Sequence, residues 1–149
     1  MTVETPDLAD EDAIRTLIEY WVEAALAKDL DAVMGCYTPD VVAFDAISAL
    51  RFSGARAYRT HWESCLSFAP EGETIMEVHD LSTQVSGDVA FSHYLSRCGC
   101  SDETGEMKAG WMRATVCCRK VDGKWLIAHE HYSAPFDPQS GKALYDLEP

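Results

Sequence analysis

The second half of the chain is four long runs of apolar and β-branched residues cut apart by tight-turn chemistry, and that pattern leaves few folds open. Thr74–Val85, Val89–Cys100, Met107–Lys120 and Lys124–Ser133 are separated by Ser86-Gly87-Asp88, by Asp102-Glu103-Thr104-Gly105 and by Asp122-Gly123. Gly and Asp tolerate the positive φ that short hairpin turns require, so the runs read as an antiparallel meander. Pro135 closes the last strand, because proline has no N–H to give to a ladder.

The first half supplies a cover for such a sheet. From about Asp10 to Lys28, apolar Ile14, Leu17, Ile18, Trp21, Ala25 and Leu26 recur at three- and four-residue steps, with Asp10 placed as N-cap and Glu11 and Asp12 at the positive end of the helix dipole. A shorter helix follows, capped by Asp29, with Leu30, Val33, Met34 and Tyr37 on one side and Pro39 as its stop. Val41–Ala46 reads as a strand carrying Asp45 near its end. Ala57, Tyr58, His61, Trp62, Cys65 and Leu66 form a third helical face before Pro70 and Gly72. Helices first and a meander afterwards imply an α+β layer, with helices on one face of a twisted sheet. The expected organisation is an N-terminal arm at 1–9, one domain at 10–137 and a C-terminal tail at 138–149 that lies over the surface.

Charge and composition narrow the partners. At 149 residues the chain can bury a core without staples, and a net charge of -13 repels a phosphate backbone, so no nucleic acid is expected. No apolar run reaches the ~18 residues of a membrane span, and the acidic start is unlike a signal peptide, so the expected location is the cytoplasm, with no membrane partner. There the six cysteines are expected as free thiols; Cys98-Gly-Cys100 and Cys117-Cys118 lack zinc-site spacing.

The order helix, short helix, strand ending in Asp, helix, four strands resembles the NTF2-like superfamily, which includes ketosteroid isomerase and the SnoaL-like polyketide cyclases. The segment from Ala27 through Asp29, Leu30 and Met34 to Tyr37, Pro39-Asp40-Val41 and Phe44-Asp45, then Gly54, looks like its N-terminal signature. The closing stretch Asp122–Ser133 looks like that of small SnoaL-like domains. The resemblance implies a cone-shaped, cystatin-like fold: about three N-terminal helices packed on a curved, mostly antiparallel sheet. It also implies cofactor-independent acid/base chemistry, and Asp45 falls where those enzymes place or approach their general-base carboxylate. Two features depart from the isomerases: Trp21 stands where they carry a phenol, and no Asp or Glu occurs between Lys108 and Val121.

Read from the residues, the last strand is the most informative. Strict alternation puts Trp125, Ile127, His129, His131 and Ser133 on one face and Leu126, Ala128, Glu130 and Tyr132 on the other, so the first face turns from apolar to polar along its length. That gradient suits a strand half in a core and half in a pocket. His93 shares a face with Val89, Phe91 and Leu95, and Arg113 shares one with Trp111 and Thr115. A buried guanidinium needs an anion, so Asp45, Glu130 or a bound acid is expected beside Arg113. Asp45, His93, His129 and His131 are the candidates for proton transfer, with Arg113 holding an enolate or carboxylate oxygen. Trp21, Tyr58, Trp62, Phe91, Trp111 and Ser133 are the candidate walls for a small apolar ligand bearing a carbonyl or carboxylate.

The structural alternatives are core histidines, a strand-end turn cap for Asp45 and an ion pair for Arg113. Glu130, pointing away from the histidines, is then a surface or interface partner for a base such as Arg119. No metal or cofactor is assigned: His129-Glu130-His131 lacks the downstream glutamate and glycine of a cupin metal motif. Two function classes follow, a cofactor-independent isomerase or cyclase and a non-catalytic ligand-binding or oligomerisation module. The uncovered face of the sheet, with Leu126, Ala128 and Tyr132, implies a homodimer.

Overall fold

A computed structural model describes residues 6–69 and 71–149. The elements are α1 (Pro6–Leu26), α2 (Leu30–Met34), β1 (Tyr37–Phe44), β2 (Phe52–Ser53), α3 (Ala55–Ser67), β3 (Thr74–Ser86), β4 (Val89–Ser101), β5 (Met107–Val121) and β6 (Lys124–Ser133). They form one six-stranded sheet in the order β2-β1-β6-β5-β4-β3, antiparallel throughout except that β1 runs parallel to β6. Three helices on a mostly antiparallel open sheet is the α+β layer expected. Residues 1–5 of the N-terminal arm and Pro70 lie outside the described residues. Among the described residues no helix is long and apolar enough to cross a membrane.

The core lies between the helices and the sheet face that looks toward them. Ile14, Ile18 and Trp21 of α1 and Tyr58 of α3 pack there on Val41 and Ala43, on Tyr94, on Ala114 and Val116, and on Trp125 and Ile127. Most of the periodic α1 residues are buried, but Leu26, in the last turn, is 38% exposed.

Local details correct several boundaries. Asp10 does not cap α1, which already starts at Pro6, a residue suited to a first helical turn because its missing N–H is not needed there. Its carboxylate accepts from Lys120 Nζ at 3.2 Å and from Trp125 Nε1 at 3.0 Å, tying the helix to the β5–β6 hairpin. Those two donors hold its pKa below the ordinary carboxylate value. Pro39 does not stop α2, which ends at Met34; it sits inside β1, where the pairing with β6 is interrupted between Tyr37 and Val42. The tail turns back through a bridge between Phe136 and Ala143, and Tyr145 accepts the Trp111 N–H at 2.9 Å. A Cβ at position 110 would lie 2.8 Å from Tyr145, so only glycine lets the tail approach there.

Candidate functional site

One bulge decides what the sheet presents to the helices. Cys118 pairs with Ile127 but Cys117 pairs with His129, so Ala128 has no partner on β5. An extra residue in one strand shifts its alternation by one position from there on. Trp125 and Ile127 therefore face inward before the bulge, and Glu130 and Tyr132 face inward after it. The expected face of Trp125, Ile127, His129, His131 and Ser133 does not exist. Glu130, placed by strict alternation on the surface, is 1% exposed, and Tyr132, placed on the uncovered face, belongs to the inner one.

Between the inner face and the helices lies a partly open cavity of about 150 Å³ lined by Trp21, Asp45, Tyr58, Trp62, Met76, Ser96, Cys98, Met112 and Tyr132. Its walls are aromatic: Tyr132 stacks on Trp21 at 5.9 Å, and Trp62 meets Trp21 edge-on at 5.8 Å. Asp45 lies just past the end of β1, and its Oδ2 is 3.0 Å from Nε2 of His61, a buried residue of α3. Helical spacing puts Tyr58, His61 and Cys65 on one side of α3, and Phe52 of β2 stacks on the imidazole at 4.1 Å. Cys65 Sγ lies 3.6 Å from the same Nε2. The thiol also lies 3.9 Å from Nδ1, so the sulfur sits beside both ring nitrogens while the carboxylate meets Nε2. Burial, with Asp45 as a second cause, raises the Cys65 pKa, away from a thiolate.

Below the cavity lies a second polar group. Glu130 Oε1 accepts the Tyr37 hydroxyl at 2.7 Å and the Tyr58 hydroxyl at 2.5 Å, and Trp21 Nε1 donates to the Tyr37 oxygen at 2.7 Å. Glu130 Oε2 is buried with no hydrogen-bond partner among the described residues. Burial, opposed in part by the bonds from Tyr58 and Tyr37, moves the Glu130 pKa from 4.5 up to about 7. Burial and the neighbouring Glu130 raise both phenol pKa values.

Of the sequence candidates, Trp21, Asp45, Tyr58 and Trp62 come together around the cavity. The others are on the opposite face of the sheet. His93 pairs across to Thr115, Thr115 to His131, and His131 to Phe44, in a row that faces away from the helices. The His129 Nδ1–H donates to the Val42 carbonyl at 2.6 Å, since a carbonyl only accepts. Arg113 pairs with Leu95 and Ser133, is exposed, and is separated by the sheet from Asp45 and Glu130, the anions expected beside it. Phe91 is 47% exposed on the same side, where Trp111 packs against His79 at 4.8 Å. The single enclosure of acid, guanidinium and imidazoles is therefore not formed: strands β4 and β5 alternate strictly, so His93, Arg113 and Trp111 share the outer parity.

Sequence reasoning missed Glu130, Tyr37, His61 and Tyr132 as a group. The available signal was a lone acid inside an apolar strand, in a chain whose phenols could supply its donors.

The comparisons agree with this architecture. A family model described as a SnoaL-like domain matches residues 14–137. None of the curated proteins matches the chain in sequence. Among solved structures, the chain is similar to an NTF2-like protein of unknown function from Pseudomonas putida KT2440, with 45% identity, TM-score 0.89, and coverage of 95% of this chain and 98% of that one. It shares its fold with an NTF2-like protein of cystatin-like fold from Novosphingobium aromaticivorans, with 15% identity, TM-score 0.74 and coverage of 90% and 87%. It also shares it with a ketosteroid isomerase-like protein from Erwinia carotovora atroseptica SCRI1043, with 20% identity, TM-score 0.66 and coverage of 82% and 93%. With the SnoaL-like match running from the first core residue of α1 to just beyond β6, and a 45% identical NTF2-like structure matched over nearly its whole length, the chain belongs to the SnoaL-like family of the NTF2-like superfamily.

Proposed function

We propose that the chain binds a small, mostly apolar carbonyl compound in the cavity between sheet and helices, and that Asp45 moves a proton on it without a cofactor. The observation that carries this reading is the Asp45–His61 pair, 3.0 Å apart, on the wall of an otherwise largely apolar cavity. An ionised carboxylate only accepts hydrogen bonds, so His61 donates from Nε2 to Oδ2 and leaves Oδ1 for the substrate. The carboxylate takes a proton from the carbon next to the carbonyl, the C–H electron pair becomes an enolate, and the carboxylic acid returns the proton to the same or a conjugated carbon. Nothing is oxidised or reduced, which is the balance of an isomerase or cyclase.

The test is deuterium exchange into small ketones. Asp45→Asn should slow exchange by about a hundredfold or more, and equal exchange in both proteins would overturn Asp45 as the base. A non-catalytic binding module is the alternative; binding without exchange in the wild type would select it.

The outer face of the sheet supports a homodimer within the same reading. Phe44, Val89 and Phe91 are exposed there, with 37%, 57% and 47% of their surface open. A face of this kind is stable when a second copy covers it. Gel filtration should give a dimer for the wild type and a monomer for Phe91→Asp, and a monomeric wild type would overturn it. The six free thiols suit a reducing compartment such as the cytoplasm.

A further inference from the structure

Two phenols reach Glu130, and they are not equivalent. Tyr37 accepts the Trp21 indole N–H, so its own proton goes to Glu130, the one acceptor for it among the described residues. Tyr58 has no such fixed donor. The Trp62 N–H lies near its hydroxyl but has no hydrogen-bond partner among the described residues. The 2.5 Å contact between Glu130 Oε1 and the Tyr58 oxygen can therefore carry its hydrogen from either side. Among the described residues, Tyr58 is also the one that both bonds Glu130 and lines the cavity.

We infer that Glu130 is a positioning residue that switches the Tyr58 hydroxyl: as a carboxylic acid it donates to the phenol oxygen, and the freed Tyr58 proton is donated to an acceptor oxygen on an aromatic ketone or aldehyde in the cavity. This rests on the proposal that the cavity is a ligand site and adds the class of ligand. As a carboxylate, Glu130 holds the Tyr58 proton and the cavity loses its donor. No covalent bond is made or broken in the switch.

The surroundings favour the acid form. Tyr37 faces Glu130 from β1, Tyr58 from α3, Tyr94 from β4, Cys118 from β5, Tyr132 from β6 and Cys36 from the turn before β1, with Asp45 acting as a nearby like charge. None is a cation, and burial moves the titration of Glu130 to about 7. The aromatic choice follows from the walls: the stacked Trp21 and Tyr132 and the edge of Trp62 enclose about the volume that admits a single ring.

The experiment compares acetophenone with ethylbenzene, which has the same ring and no oxygen, by tryptophan fluorescence at about pH 5.5 and about pH 8.5, on either side of the Glu130 titration. Acetophenone should bind about five- to tenfold more weakly at the higher pH, the worth of one hydrogen bond, and ethylbenzene equally at both. Glu130→Gln, which has no proton to gain or lose over this range, should bind acetophenone equally at both values. Tyr58→Phe should bind it weakly at both. Equal pH profiles for the two compounds in the wild type would overturn the switch and leave the cavity reading standing, and this arm needs no variant to fold. A pH difference retained in Glu130→Gln would also overturn it. Binding of neither compound would overturn the cavity reading and the switch together.

Discussion

The Tyr58 hydroxyl in α3 and Glu130 Oε1 in β6 share a hydrogen bond of 2.5 Å across 72 positions of chain, and this bond joins the helical layer to the middle of the sheet. It links a cavity wall to a buried acid whose second oxygen has no partner among the described residues. A group so placed influences both stability and chemistry, and the following outcomes are expected.

Glu130 should make the protein less stable as pH rises. Its folded pKa of about 7 lies above the ordinary 4.5, so between these values the folded state holds a proton that the unfolded state has released. The stabilisation is fully present below 4.5 and is lost as pH climbs to 7, a change of about 3 kcal/mol. Urea melts of the wild type should follow this slope. Those of Glu130→Gln should not, and parallel slopes would refute the assignment.

Removing the two phenolic hydroxyls should cost different amounts. Tyr37→Phe breaks the bond to Glu130 and also strips the Trp21 N–H of its acceptor, whereas Tyr58→Phe breaks the bond to Glu130 alone. At about 1–3 kcal/mol for a buried polar group left unpaired, Tyr37→Phe should be the more destabilising by about 1 kcal/mol or more. Thermal melts of the pair measure this, and the reverse order would contradict the network.

The bulge at Ala128 should be removable. Without Ala128, Ile127 and His129 become neighbours and pair in step with Cys118 and Cys117, so Glu130 and Tyr132 stay inward. Deleting Ala128 should leave a folded protein with reduced stability. Deleting Thr115, in the regular middle of β5, should turn one half of that strand over and abolish folding. Circular dichroism of the two deletions distinguishes them, and loss of fold in both would count against the bulge as the cause of the flip.

Gly99 should tolerate no side chain. A Cβ there would lie 2.0 Å from the Lys108 carbonyl and 2.5 Å from the Ala109 Cα, both backbone atoms of the paired strand. Gly99→Ala must push β4 and β5 apart, with a loss of about 2–4 kcal/mol. A melting temperature within a degree or two of wild type would show that the strands separate freely at that point.

The class of fold was legible because its signals are local. Lys124–Ser133 is bounded in the structure as in the sequence, by Asp122-Gly123 on one side and the approach to Pro135 on the other. The face of α1 with Ile14, Ile18 and Trp21 followed from helical period alone. Asp45 was found through its place at the end of a strand and through family resemblance. The remainder of the site was not legible, and the reason is one residue in β6.

Sequence by itself determined the layers: turn chemistry set the meander, periodicity set the helices, and hydrophobic pattern required them to stack. Tertiary structure alone decided which side chains of the last strand look inward. A bulge depends on how two strands fit each other's register and twist, and nothing in the order of Ile127, Ala128 and His129 marks it. Because side-chain direction has a period of two, that unmarked step sent the histidines out and brought Glu130 in to meet Tyr37 and Tyr58.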